Sequence, residues 1–160
     1  MLGMEYTDAH MIFPRLWLGN RKASMDADFL RENNIKVVFN CTKDLPFSHS
    51  VPRQYRVPVD DNLEPVEIKN LEKWAPEIMY KLLLEYSAGH TVLVHCYAGM
   101  QRSAAIVAMF IILKTSRSVD EAMAFVRHKR PVAFFPSPNF EPAIRGFEKI
   151  ARAYIRPVRV

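Results

Sequence analysis

Between Thr91 and Thr115 the chain runs through two apolar stretches that leave no side free for water. The first, TVLVH (91–95), is short and continuous in apolar and β-branched residues. That is the pattern of a strand buried on both faces of a parallel sheet, where an edge or half-exposed strand would alternate. The second begins at Ser103 and reads AAIVAMFIIL from Ala104. A helix with that composition has no polar stripe and is buried all round. A strand and a helix that both need covering call for helices on both faces of a sheet, the layer arrangement of an α/β domain. Between them lies CYAGMQR (96–102), where the buried unit opens into a loop.

The remaining pattern fits that frame. MIFPRLWLGN reads as a short strand with a turn at Gly19-Asn20. Ser24 is placed to cap a helix reaching about Asn33, with Met25, Phe29 and Leu30 as its apolar stripe. IKVVFNCT (35–42) is a second buried strand, and QYRVPV is a strand whose Pro58 marks an edge or an end. From about Glu67 to Ser87 a long helix is expected, interrupted or kinked at Pro76, with Gly89 beyond its end. Ser118-Val-Asp-Glu121 is a capping box that opens a helix to about Arg130. A last amphipathic helix runs from about Asn139 to Tyr154. The expectation is a single α/β domain over residues 1–160, with a short, mostly parallel sheet of about four to five strands and about six helices.

Composition narrows the classes. At 49% hydrophobic and 24% charged, the chain is ordinary for a globular protein. No apolar run approaches the roughly 20 residues that span a bilayer, so no membrane span is expected. The first ten residues, MLGMEYTDAH, lack the basic start and apolar stretch of a secretion signal. Two cysteines make no disulfide scaffold, which points to a reducing cytoplasm or nucleus. The net charge of +5 favours anionic partners without choosing among them. The five histidines are scattered without ligand spacing, so neither a metal nor another cofactor is expected.

The chemistry sits in the loop. The strand delivers Cys96 to the carboxyl edge of the sheet, where open α/β folds bind ligands. Tyr97, Ala98, Gly99, Met100, Gln101 and Arg102 then wrap into a helix start whose N–H groups lack intrahelical partners and converge on an anion. Gly99 permits a positive φ or a close backbone approach, and Arg102 adds a planar cationic fork matched to two phosphate oxygens. The same electropositive bowl favours the thiolate of Cys96, as at sites where cysteine pKa falls to roughly 3.5–7.5. Taken alone, such a cysteine is a small hydrophobe ending a core strand and such an arginine is solvated; the joint pattern H-C-x-A-G-x-x-R-S at 95–103 makes them a unit.

That unit, HCYAGMQRS, resembles the signature loop of the cysteine-dependent protein phosphatases, and its Ala-Gly and Arg-Ser pairs resemble the dual-specificity branch. IFPRLWLGN, IKVVFNCT, YRVPVDDN, SAAIVAMFII and the downstream RP…SPNF extend the similarity over most of the chain. Gln101 departs from it, since the branch usually carries a serine or another small residue there; the departure lies on the loop rim, where it bears on substrate preference. The resemblance implies roles. Cys96 would be the nucleophile, forming a phosphocysteine, and Arg102 with the loop amides would hold the phosphate. Ser103 would donate to the sulfur, or else simply cap its helix. His95 would orient the loop; a residue directly before the nucleophile in a strand points to the opposite face.

The leaving oxygen needs a proton, and therefore a carboxylic acid on a facing loop. Asp60 and Asp61 both qualify, and registering PVDD against the family puts Asp61 at the acid position; Glu64 is a third candidate. Asn139 resembles a family asparagine at the start of the last helix, with an ordinary cap as the other reading. Cys41 stands where some relatives keep a partner that captures the oxidised nucleophile as a disulfide; otherwise it is a buried strand cysteine. The run Arg127-His128-Lys129-Arg130 complements a helix C-terminus, or docks an acidic segment. The resemblance implies a phosphatase acting on phosphotyrosine and phosphoserine or phosphothreonine in protein substrates. Phosphoinositides and RNA 5′-phosphates are the alternative substrates. Against the first stands an uncharged loop, YAGMQ; against the second, Ser103-Ala104 where RNA-acting relatives carry threonine and glycine. A phosphate-binding scaffold without catalysis is a further reading, and no oligomeric state is implied.

Overall fold

In the computed structural model, which describes residues 7–154, TVLVH forms β5 (Thr91–His95) at the centre of a five-stranded sheet. The other strands are β1 (Ala9–Phe13), β2 (Leu16–Gly19), β3 (Ile35–Asn40) and β4 (Arg53–Arg56). Their order is β1-β2-β5-β3-β4, with β1 antiparallel to β2 and every other pair parallel. Alternation along β5 feeds two cores: Val92 and Val94 enter the larger one, Leu93 the smaller. The smaller core contains Leu30, Ile35, Val38 and Val51 with Leu93, and the edge-to-face pair Trp17–Phe29 packs against it.

Helices cover both faces. α1 (Arg21–Met25) and α2 (Ala27–Glu32) are short, whereas α3 (Pro65–Ser87), α4 (Arg102–Thr115), α5 (Val119–Lys129) and α6 (Glu141–Tyr154) are long. In α4 every residue from Ser103 to Ile112 is buried, as its uniform apolarity requires. The capping box of α5 forms in full, with the Ser118 hydroxyl accepting from Glu121 N–H and the Glu121 carboxylate accepting from Ser118 N–H.

Several local expectations change. MIFPRLWLGN is not one strand but the two arms of a hairpin that turns at Pro14-Arg15, where Arg15 takes a φ of 63°. The Arg15 guanidinium stabilises that turn by donating to the carbonyls of Tyr86 and His90, both at 2.9 Å. The expected cap Ser24 lies inside α1, its hydroxyl donating to Arg21 O. Asn20 caps α1 and Asp26 caps α2, because the extended backbone at Asp26 splits the expected helix in two. Pro76 does not interrupt α3, which runs unbroken for 23 residues from Pro65. α6 begins at Glu141, which leaves Asn139 outside the helix.

Candidate active site

The loop between β5 and α4 is held from outside by its own carbonyls. Tyr97 O accepts from Arg21 N–H and Met100 O from Phe134 N–H at 2.7 Å, while Gln101 O takes the first bond of α4, from Ala105 N–H. Ala98 O and Gly99 O accept from the Arg130 guanidinium, at 3.2 and 2.8 Å. With the carbonyls drawn outward, the peptide N–H groups are left to the inner side, where those of Gly99 and Ser103 act on the Cys96 sulfur. Gly99 has a φ of 68°, and a Cβ there would sit 2.5 Å from the carbonyl oxygen of Gly19. Only glycine fits.

Cys96 itself is 2% exposed, and its Sγ lies 3.0 Å from the Ser103 hydroxyl. Burial pushes the thiol pKa up, but the charge of Arg102, the Ser103 hydroxyl and the N–H groups of Ser103 and Gly99 outweigh it. The net effect holds the sulfur below the ordinary thiol value. Arg102 donates through Nη1 to Val59 O at 3.0 Å, and its buried Nε has no partner among the described residues. A buried donor left open beside the Cys96 sulfur suits an oxyanion. His95 is fully buried, with Nδ1 3.2 Å from Cys96 O. Burial lowers its pKa to about 4, which keeps the ring neutral at physiological pH.

These groups open into a cavity of about 360 Å³ lined by Cys96, Arg102, Gln101, Asp61, Phe135 and Asn139, among others. Tyr97, 52% exposed, forms part of its rim, with the Arg21 guanidinium stacked 3.9 Å over its ring. Of the carboxylates considered, Asp61 lines the cavity, and its Oδ1 accepts from Asn139 Nδ2 at 2.9 Å. Asp60 turns away to Lys43 at 3.1 Å, while its N–H donates to Glu67. Glu64 is an exposed residue at the start of α3. A slightly larger cavity, about 410 Å³, lies between β4 and α3 and is lined by Gln54, Arg56, Trp74 and Lys81, among others, with no cysteine.

Two residues stand elsewhere than expected. Gln101 does not lie on the rim; it is 5% exposed and hydrogen-bonded at both ends of its amide. Arg130 is fully buried under the loop, where it also meets Thr7 O and His10 Nδ1, and so plays no part in a surface patch. Nothing in the run RHKR separates Arg130 from its neighbours except the proline that follows. Cys41 is fully buried at the end of β3, its N–H donating to His95 O at 2.8 Å. Burial, and then the nearby charge of Cys96, raise its pKa, so its thiol stays protonated.

Comparisons with known proteins give the family and the fold. The family model described as dual specificity phosphatase, catalytic domain, matches residues 16–150. Human dual specificity protein phosphatase 16 is 32% identical over 140 residues, which are 86% of this chain and 20% of that protein. The crystal structure of DUSP15 superposes with a TM-score of 0.78 at 26% identity, covering 91% of this chain and 93% of that one. Human DUSP28, at 24% identity, shares the fold with a TM-score of 0.77 over 93% of this chain and 98% of that one. The chain spans about a fifth to a third of the length of the first curated relatives it matches.

Proposed function

This chain belongs to the dual specificity phosphatase family, and on that premise we propose that it hydrolyses phosphate monoesters of tyrosine and of serine or threonine in proteins. The reading treats residues 1–160 as one catalytic domain. The observation that carries it is the Cys96 sulfur, held 3.0 Å from the Ser103 hydroxyl with the open Nε of Arg102 beside it.

In the first step the sulfur attacks phosphorus in line, and the bond from phosphorus to the leaving oxygen breaks as the S–P bond forms. Arg102 and the loop N–H groups bind the equatorial oxygens, most strongly as charge spreads over them in the transition state. Asp61 gives its proton to the leaving oxygen. In the second step the same carboxylate takes a proton from water. The water oxygen attacks phosphorus, and the thiolate departs to leave inorganic phosphate. Ser103 stabilises the thiolate at both ends of the cycle. Exposed rim residues, Tyr97 and Phe135 among them, support acceptance of short aliphatic as well as aromatic phosphoesters. A mechanism that needs Cys96 as a free thiol suits a reducing cytoplasm or nucleus as the place of action.

The test is turnover of phosphotyrosine and phosphothreonine peptides, a phosphoinositide and a 5′-triphosphate RNA by the wild type and by Cys96→Ser. Release of phosphate from both peptides, abolished in Cys96→Ser, is expected. Activity on the lipid or the RNA alone would replace the protein substrate, and activity on none would overturn the enzyme reading.

A further inference from the structure

The Gln101 side chain belongs to the loop that holds phosphate, yet its amide is spent on a different segment. Nε2 donates to Phe135 O at 3.0 Å and to Ser137 O at 2.9 Å, and Oε1 accepts from Asn139 N–H at 2.9 Å. Both donor hydrogens and the acceptor are therefore used on one stretch of five residues. The side chain is 5% exposed, so these bonds compete little with water. A further bond, Phe134 N–H to Met100 O, ties the same stretch to the loop one residue earlier.

What that stretch carries is Asn139, whose Nδ2 donates to Asp61 Oδ1 at 2.9 Å. Asp61 is otherwise exposed, on the connection that follows β4, with a side chain free to sample other rotamers. The bond from Asn139 occupies one carboxyl oxygen and leaves Oδ2 as the site for the proton. Asn139 can do so only while its own backbone stays in place, and its N–H is anchored on Gln101.

We propose that Gln101 is a positioning residue for the general acid, fixing Asn139 and through it the Asp61 carboxyl over the leaving oxygen. The inference rests on the reading of Asp61 as the acid. Gln101 thus couples two halves of the site that lie far apart in sequence.

The test uses kcat/KM, which reports the step that expels the leaving group, on aryl phosphates whose phenols span a range of pKa. A phenol of low pKa leaves without help, whereas unsubstituted phenol needs the proton. Gln101→Ala, and Gln101→Met as a variant that fills the same space without the hydrogen bonds, should lose about tenfold more on phenyl phosphate than on the activated ester. Asn139→Ala should give the same selective loss, and adding it to Gln101→Ala should deepen the loss by less than the product of the two. Asp61→Asn sets the scale, with a selective loss of about 100-fold.

An equal fall on every substrate for the Gln101 variants would overturn the proposal, because that is the signature of a disturbed phosphate loop alone. A steepened dependence in Asp61→Asn with none in the Gln101 variants would also overturn it while sparing the acid assignment. A flat response in Asp61→Asn would instead remove the assignment on which it stands.

Discussion

A thiol buried as deeply as Cys96 is held in its neutral form unless something compensates the loss of water, and here the compensation is local and countable. Arg102 supplies charge, Ser103 a hydroxyl and an N–H, Gly99 an N–H. Among these, the hydroxyl is the one that can be removed without touching the loop backbone or the Arg102 guanidinium. Ser103→Ala should raise the Cys96 pKa by about one to two units, the equivalent of the ~1.5–3 kcal/mol that a hydrogen bond to a charged group contributes. The measurement is the rate of alkylation by iodoacetamide against pH, whose midpoint should move up in the variant. An unmoved midpoint would take Ser103 out of the thiolate's environment and leave it a helix residue. Cys41 shows the converse, since without donors of its own it stays protonated.

At the scale of elements, legibility follows how local the determinants are. β5 and α4 were readable because their burial is written in consecutive apolar residues, and the α5 capping box because its partners lie three residues apart. The hairpin at Pro14-Arg15 was not, since it depends on Arg15 reaching carbonyls at Tyr86 and His90. The break between α1 and α2 turns on the choice of Asn20 and Asp26 over Ser24 as caps, three residues of similar capping ability. The same holds within the site. Cys96, Gly99, Arg102 and Ser103 fall in one motif, and their proximity is a matter of chain geometry. The bonds of Gln101 to residues 135–139, of Arg130 to Ala98 and Gly99, and of Asn139 to Asp61 join segments more than thirty residues apart. No short pattern announces such contacts.

For the molecule as a whole, the parallel sheet gathers the site. β2, β5 and β3 run the same way and end together, at Gly19, His95 and Asn40, which bond in register. The chain leaving β4 then brings Asp61 to that edge. His95 sits in the middle of this register and ties pH to stability. Its pKa is lowered from 6.5 to about 4 in the folded protein, so the unfolded chain takes up the proton first as pH falls. The contribution of the neutral ring is complete above about pH 6.5 and lost progressively down to pH 4. That loss amounts to about 3 kcal/mol. Denaturant unfolding across this range should show a weaker pH dependence in His95→Gln than in the wild type, and parallel curves would contradict it.

Phosphate that passes through the sulfur of Cys96 can be caught there as a covalent adduct. The protein is mixed with an aryl phosphate, quenched within a turnover, and its peptides examined for a covalent phosphoryl group. Phosphorylation is expected on the peptide containing Cys96, absent in Cys96→Ser and more abundant in Asp61→Asn, where the intermediate forms from an activated ester but hydrolyses slowly. Phosphate released at full rate with no adduct on Cys96 would rule out the sulfur as its carrier.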